Sequence, residues 1–177
     1  LGRREILSSS NGHCLLHLDV SNAFNSIYRS HIHNALTSKC ADIVPFFNWA
    51  YGCPTPICFG DGIQVLNNSR GGRQGDPLGS FLFTLAEIDV LKSISSQFPG
   101  VQIRAVADDK FLFGPPHTVM EAVTFLRDEC ALYGCDIVFG KSTAFAGFHS
   151  ETSSSTIHQI PLHDGIDCAG LPIGSPH

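Results

Sequence analysis

Two apolar segments of the chain carry aspartates at their ends, and this pattern constrains the fold more than any other feature. Residues 13–20 form a short, mainly apolar segment with Asp19 near its end, and Asp108 and Asp109 directly follow the apolar segment 101–107. Short apolar runs bounded by polar residues are typical of buried strands. A carboxylate at the end of a buried strand has to be paired, solvated or bound to a metal ion, because burying it alone is very costly. The sequence therefore predicts two strands that together carry three carboxylates.

The remaining segments alternate between helical and extended patterns. Helices are expected at residues 29–38 and 45–51 and in the apolar stretch after Pro77, and a hairpin is expected around Asp61-Gly62. A turn at Asp108-Asp109 should lead into a returning strand at 110–114, and further short strands are expected at 136–139, 143–147 and 157–160.

One more helix is marked by its ends as well as by its pattern. Thr118 and Glu121 have the spacing of a capping box, and Gly134 can end the helix. Its apolar stripe consists of Val119, Val123, Leu126 and Cys130. The order of elements predicts the α+β class, with an antiparallel sheet and helices packed on one face, as in a ferredoxin-like or split βαβ core.

Composition limits the function classes. The formal charge of −5 argues against a free-standing nucleic-acid binder, an objection that weakens if basic neighbours lie outside this segment. The sequence has neither an apolar run of about 18 residues nor a secretory start, so no membrane association is expected. Seven cysteines without an export signal indicate free thiols. Zinc ligands are the disfavoured alternative, since no second ligand pair matches Cys53 and Cys58; the histidines weighed with them are His13, His17, His31 and His33.

Three carboxylates brought together would repel one another, and divalent cations remove that repulsion. Oxygen ligands with open coordination positions favour magnesium, and two such ions about 4 Å apart can activate an attacking hydroxyl and stabilise a leaving oxygen. The alternative for Asp108-Asp109 is structural, because aspartate is common in turns.

A glycine-rich loop at residues 71–80 opens onto the apolar helix. Its glycines allow close backbone approach to a ligand, and a helix N-terminus beside Arg73 favours phosphate. Asp76 could equally cap this helix, with Pro77 at the first helical position.

In these motifs the chain resembles the reverse transcriptases, and specifically those of non-LTR (LINE-like) retrotransposons. The resemblance runs from residue 13 to the C-terminus. It rests on residues 18–25 (LDVSNAFN), 73–79 (RQGDPLG) followed by Leu82-Phe83, 106–109 (VADD), 134–142 ending in FGKS, and 170–175 (GLPIGS). Each motif alone is weak, but five in the family's order are a strong resemblance.

The resemblance implies a polymerase palm at residues 13–165. Residues 1–12 would be the end of the fingers region or a linker, and 166–177 the truncated start of the primer-grip or thumb region. Asp19 and Asp108 would ligate two Mg²⁺ ions, for which Mn²⁺ can substitute, with the Val20 carbonyl and Asp109 assisting. These residues would carry the catalytic and metal-binding roles.

Nucleotide and primer contacts are implied in the same way. Phe24 would lie under the sugar of the incoming nucleotide and exclude a 2′-hydroxyl. The alternative role for Phe24 is purely structural, as an aromatic residue of the core. Gln74 and Gly75 would line the nucleotide and template pocket, and Lys141 would approach the triphosphate. The residues implied to lie near template and primer are Arg73, Val106, Gly170 and Leu171.

The reaction implied is attack of a DNA primer 3′-hydroxyl on a deoxynucleoside triphosphate, templated by RNA, in a nuclear or cytoplasmic setting. The remaining partners would be the fingers, thumb and endonuclease parts of a parent polyprotein, and the isolated chain is expected to be inactive or nearly so. Val106 departs from the family, which usually has an aromatic residue there. Open alternatives are a group II intron protein or RNA-directed RNA polymerase, a degenerate remnant that binds nucleic acid or protein without catalysis, and a metal-dependent phosphohydrolase.

Overall fold

A computed structural model describes residues 12–59, 64–73, 75–146, 156–157 and 159–174. The chain divides into two compact units. The first comprises Leu1–Ser21, Asp89–Leu132 and Asp136–His177, and the second comprises Asn22–Ile88 and Tyr133–Cys135. None of the helices in the described ranges is long and apolar enough to cross a membrane.

The described elements are named in chain order. The strands are β1 (Cys14–Leu18), β2 (Val20–Ser21), β3 (Thr55–Phe59), β4 (Gln64–Asn68), β5 (Gln102–Val106), β6 (Asp109–Gly114), β7 (Asp136–Ile137), β8 (Thr143–Ala146), β9 (Thr156–Ile157), β10 (Ile160–His163), β11 (Gly165–Cys168) and β12 (Leu171–Gly174). The α-helices are α1 (Ala23–Ser26), α2 (Arg29–Lys39), α3 (Val44–Tyr51), α4 (Gly79–Gln97) and α5 (Pro116–Leu132), with a 3₁₀ turn at Ala41–Ile43.

The first unit is built on a sheet with the strand order β5-β6-β1-β8-β10-β9. β1 pairs antiparallel with β6 on one side and with β8 on the other, whereas β10 runs parallel to β8. The shorter pairs β2–β7 and β11–β12 are also antiparallel. The predicted α+β class with a mainly antiparallel sheet is therefore confirmed.

Alternation of side chains along β1 gives this sheet two buried faces. On one face a cluster joins the sheet to the β11–β12 hairpin; its members are Leu15, Phe111, Phe113, Phe145, Ile166 and Ile173. Leu16 and Leu112 point the other way and are fully buried. α5 packs against β6, and its predicted stripe of Val119, Val123, Leu126 and Cys130 is completely buried. Burying this stripe explains why the segment is a helix.

The second unit consists of α1 to α3, the β3–β4 hairpin, the first part of α4 and the short segment Tyr133–Cys135. Gly134 has a φ of +87°, and a Cβ there would lie 2.9 Å from the Ser26 carbonyl oxygen. The predicted glycine after α5 is thus required both by its φ and by its neighbours. The predicted helices at 29–38 and 45–51 correspond to α2 and α3, and β3 pairs with β4 as expected. The Asp61-Gly62 turn lies outside the described residues.

Several predicted boundaries are wrong. α5 begins at Pro116, and the Val119 N–H donates to the Pro115 carbonyl, so Thr118 lies within the first turn rather than at the cap. α4 begins at Gly79 and not at Pro77. Pro116 occupies the first position of its helix, which suits proline, whereas Pro77 lies in the turn before α4.

Two strand predictions also need correction. The hairpin turn is formed by Ala107 and Asp108, and β6 already begins at Asp109, which pairs with Val106. Ala107 takes the positive φ, 55°, that such a tight turn needs. The predicted strand at 157–160 is two antiparallel strands, β9 and β10, separated by Gln159 with a φ of 73°.

Candidate active site

Asp19 lies between β1 and β2 and is held by its own backbone. Its N–H donates to the Ser142 hydroxyl at 3.1 Å, and its carbonyl accepts the Val138 N–H at 3.0 Å. Ser142 in turn donates to the Val138 carbonyl at 2.9 Å. The turn after β7 therefore fixes the chain at Asp19 and leaves its half-buried carboxylate outside these bonds.

Asp108 and Asp109 come from the turn and the first residue of the β5–β6 hairpin. The last pair between β1 and β6 is Leu18 with Lys110, so Asp19 follows β1 at the level where Asp109 precedes Lys110. The sheet thereby brings the predicted aspartates to one end of two neighbouring strands. Both hairpin aspartates are half-buried.

The Asp109 carboxylate has a partner that the sequence did not reveal. Its Oδ1 lies 2.7 Å from Nε2 of His17 on β1. The His17 ring stacks on Phe111, with ring centroids 4.7 Å apart and planes 13° apart. The sequence offered His17 only as a disfavoured zinc ligand, whereas its ring is partly buried, 25% exposed, and contacts the Asp109 carboxylate.

Within the described part of the chain, no three His, Cys, Asp or Glu side chains are arranged as a metal-binding group. The donor atoms nevertheless fit a hard divalent cation, because all three side chains supply carboxylate oxygens at adjacent strand ends. For Asp109, any such binding has to accommodate the bond to His17.

A cavity of about 460 Å³ opens beside the His17–Asp109 pair. Its polar lining includes His17, Asp109, Thr143, His163 and Asp167, and its apolar lining includes Phe111. All of these residues belong to the first unit.

In the second unit, the glycine-rich loop packs against the backbone around α1. The Gly71 N–H donates to the Ile27 carbonyl at 2.7 Å, and the Gly72 N–H donates to the Phe24 carbonyl at 2.8 Å. Phe24 is half-buried, and its ring contacts Phe83 with centroids 4.9 Å apart. The predicted sugar-contacting residue is therefore held at the loop and is also partly a core aromatic.

Tyr51 on α3 also braces this loop through its hydroxyl. Its hydroxyl donates to the Asp76 carboxylate and accepts the Arg73 N–H at 3.2 Å. The other Asp76 oxygen accepts the Leu78 N–H at 2.8 Å, so Asp76 shapes the turn that leads into α4. Burial, more than any other cause, raises the pKa of Tyr51. The hydroxyl therefore remains a proton donor at neutral pH.

Two arginines flank the Tyr51 ring. The guanidinium of Arg73 lies 5.4 Å from its centroid and donates to the Ala50 carbonyl at 2.6 Å. The guanidinium of Arg29 lies 5.2 Å from it and donates to the carbonyls of Gly71 and Cys53, both at 3.1 Å. Burial lowers the pKa of Arg29, and the neighbouring Arg73 lowers it further. Hydrogen bonds to backbone carbonyls thus fix both guanidinium groups beside the Tyr51 ring.

The other predicted site residues are placed as follows. Val20 is buried in β2 opposite Ile137, whereas the Lys141 side chain is exposed on the turn after β7. Val106, at the end of β5, is 53% exposed. Gly170 and Leu171 form the turn and start of β12, and the Gly170 N–H donates to Asp167 at 2.6 Å. Gly75 is exposed with a φ of +87°, and Gln74 lies outside the described residues.

Comparison with protein families decides the identity of the fold. The family model described as reverse transcriptase (RNA-dependent DNA polymerase) matches residues 3–162. The chain belongs to this family. A search among curated proteins finds no sequence match.

Solved telomerase structures have the same fold. The telomerase of Candida albicans in complex with a TWJ fragment of telomeric RNA has a TM-score of 0.68 at 13% identity, and the match covers 98% of this chain and 32% of that one. The telomerase of Candida Tropicalis in the corresponding complex has a TM-score of 0.67 at 13% identity, covering 97% and 30%. Its apo form, truncated from the C-terminal domain, has a TM-score of 0.65 at 12% identity, covering 97% and 36%. This reverse-transcriptase segment therefore spans about a third of those chains.

The contacts of His17, Tyr51 and Arg29 were not predicted from the sequence. For His17 the sequence did hold a signal. Side chains two residues apart along a strand point to the same face, so His17 is expected on the same side of the chain as Asp19. Tyr51 and Arg29 carry no comparable local signal, because their partners are far away in the sequence.

Proposed function

We propose that this chain is the catalytic palm of an RNA-directed DNA polymerase, a nucleotidyltransferase of a non-LTR retrotransposon. It would add deoxynucleotides to the 3′-hydroxyl of a DNA primer on an RNA template. The observation that carries the proposal is the β5–β6 hairpin, which presents Asp108 and Asp109 beside the end of β1, where Asp19 follows.

The side chains of this site suit phosphoryl transfer. When bound, two Mg²⁺ ions, or Mn²⁺ in their place, would activate the attacking hydroxyl and neutralise charge on the leaving phosphate. Asp19, Asp108 and Asp109 would hold these ions. Catalysis of this kind consists mainly of positioning and electrostatic stabilisation, and the rigid backbone bonds at Asp19 serve the positioning.

The loop in the second unit suits a nucleotide-binding role. Gly71 and Gly72 hold it against Phe24, and Tyr51 fixes Arg73 and Asp76. Phe24 would select deoxynucleotides, Gln74 and Gly75 would line the pocket, and Lys141 would contact the triphosphate. RNA as the template is supported by the family description and by the telomeric RNA named in two of the similar structures.

A second candidate is an inactive remnant of such a polymerase that binds RNA without extending a primer. Val106 favours it, because a largely exposed valine replaces the aromatic residue expected beside the primer end.

Primer extension distinguishes the two candidates. The chain, joined to fingers and thumb regions, is incubated with an RNA template, a DNA primer, Mg²⁺ and deoxynucleotides. Asp108→Ala with Asp109→Ala should reduce extension by about 10³-fold or more, the scale of losing a main electrostatic stabiliser. Asp128→Ala removes an exposed carboxylate on α5 and is the matched control. Template binding without extension by the unaltered protein, and recovery on Val106→Tyr, would favour the remnant.

A further inference from the structure

His17 and Asp109 form a pair whose geometry is set by the sheet. His17 pairs with Phe111 across the β1–β6 ladder, and Asp109 lies two residues before Phe111 on the same strand. Residues two apart on a strand share a face, so Asp109 is the diagonal neighbour of His17. This explains how residues 92 positions apart in sequence come within 2.7 Å of each other.

The His17 ring cannot easily turn away from Asp109. It lies flat on Phe111, which is 1% exposed and belongs to the core cluster of the first unit. The carboxylate of Asp109, in contrast, is 48% exposed. The imidazole is therefore the fixed member of the pair, and the carboxylate takes its direction from it.

The pair leaves the carboxylate able to bind a cation. His17 contacts Oδ1, and an ionised carboxylate has about four lone-pair sites on its two oxygens. Oδ2 can bind a metal ion while Oδ1 remains on His17. Hydrogen bonds that orient metal-binding side chains typically change metal affinity by about 10- to 100-fold when they are removed.

We propose that His17 is a positioning residue that orients the Asp109 carboxylate for metal binding. The proposal rests on the proposed function, in which Asp109 assists in holding the metal ions. His17 itself neither binds the metal nor contacts the substrate. Its hydrogen bond holds the half-exposed carboxylate in one direction before the ion arrives.

The test separates the hydrogen bond from the ring. His17→Phe keeps an aromatic ring on Phe111 and removes the donor, whereas His17→Gln removes the ring and keeps an N–H donor at a similar reach. His13→Phe is the matched control, because His13 also lies on this side of β1 and stacks on Phe113, with centroids 5.3 Å apart. Its Nδ1 is buried and has no hydrogen-bond partner among the described residues, so the change removes no bond of that atom there.

Binding of Mn²⁺ to the full 177-residue chain is measured by electron paramagnetic resonance, with circular dichroism to verify folding. Relative to the unaltered chain, His17→Phe should weaken Mn²⁺ binding by about 10-fold. His17→Gln should retain most of the Mn²⁺ affinity, and His13→Phe should leave that affinity unchanged. In the metal-free chain, Asp109→Ala should shift the ¹⁵N resonance of the His17 ring, while Asp128→Ala should not.

Two failures are distinguishable. Equal Mn²⁺ affinity in His17→Phe and the unaltered chain, with weaker binding in Asp19→Ala, overturns the role of His17 and leaves the proposed function intact. Mn²⁺ binding that is absent, or insensitive to Asp19→Ala and Asp108→Ala, overturns the proposed metal site and the positioning role together. An unshifted His17 resonance in Asp109→Ala also overturns the positioning role.

Discussion

Replacing Tyr51 by phenylalanine tests whether one hydroxyl holds the loop that we assign to nucleotide binding. The change keeps the ring, and with it the packing in α3 and the two flanking guanidinium groups. It removes the donor to the Asp76 carboxylate and the acceptor for the Arg73 N–H. The loop would then keep the Leu78 N–H on Asp76, the backbone bonds of the two glycines, and the bonds that Arg29 and Arg73 make with backbone carbonyls.

The magnitude follows from the two bonds lost. A hydrogen bond to a charged group contributes about 1.5–3 kcal/mol and a neutral one about 1 kcal/mol. Tyr51 is 3% exposed, so water cannot readily replace the hydroxyl. Together the two losses should lower the free energy of unfolding by about 2.5–4 kcal/mol. With a urea slope near 2 kcal/mol/M, the unfolding midpoint should fall by about 1–2 M.

Urea unfolding followed by circular dichroism measures this change, and hydrogen exchange locates it. The Arg73 amide should exchange faster in Tyr51→Phe, because its acceptor is gone. Tyr28→Phe is the control: the Tyr28 ring lies against Arg70, 4.8 Å from the guanidinium, and its hydroxyl makes no hydrogen bond within the described residues. A midpoint shift as small as that of Tyr28→Phe, with unchanged exchange at Arg73, would refute the bracing role.

The pH dependence of the same variant has a defined sign. Burial raises the pKa of Tyr51 above its ordinary value near 10, so the folded state holds the phenolic proton more tightly than the unfolded state. Its stabilising contribution is fully present below about pH 10 and is lost as the pH rises through the raised pKa. The stability difference between the unaltered chain and Tyr51→Phe should therefore narrow in alkaline solution.

Two further predictions follow from local packing and burial. In thermal unfolding, Gly71→Ala should destabilise the chain by more than about 1–2 kcal/mol, because the φ of Gly71 is +60° and a Cβ there would lie 2.3 Å from the Phe24 carbonyl oxygen. The control Gly79→Ala, with open space around it, should change stability by less than about 1 kcal/mol in that assay. Burial raises the pKa of the Cys14 thiol to about 12, so Cys14 should resist a thiol reagent at pH 8 that labels the exposed Cys53. Mass spectrometry of the labelled, folded chain measures the difference, and equal labelling of the two cysteines would contradict the buried position of β1.

The sequence by itself determined the local elements that have a strong period. The stripe from Val119 to Cys130 has helical spacing and forms the buried face of α5, because only a helix places all four side chains on one side. The apolar runs before Asp19 and Asp108 form β1 and β5 of one sheet, with β6 paired between them. The family followed from the order of five motifs, whereas the retroelement class stays a prediction.

Boundaries were less well determined, because turns depend on a few dihedral angles. Ala107 takes a positive φ without being glycine, so the hairpin turned one residue earlier than Asp108-Asp109 suggested. Likewise, Gln159 divides a predicted strand into β9 and β10. Nothing in either local composition marks these residues as left-handed.

Only the tertiary structure decided which side chains meet. The bond from His17 to Asp109 joins residues 92 positions apart, and its existence depends on the register that sets His17 against Phe111. A shift of one residue in that register would move His17 to the other face of the sheet. The bond between Tyr51 and Asp76 likewise depends on how α3 packs beside the loop. A sequence pattern fixes the face of a residue within its own element, but the partner on another element is chosen by packing.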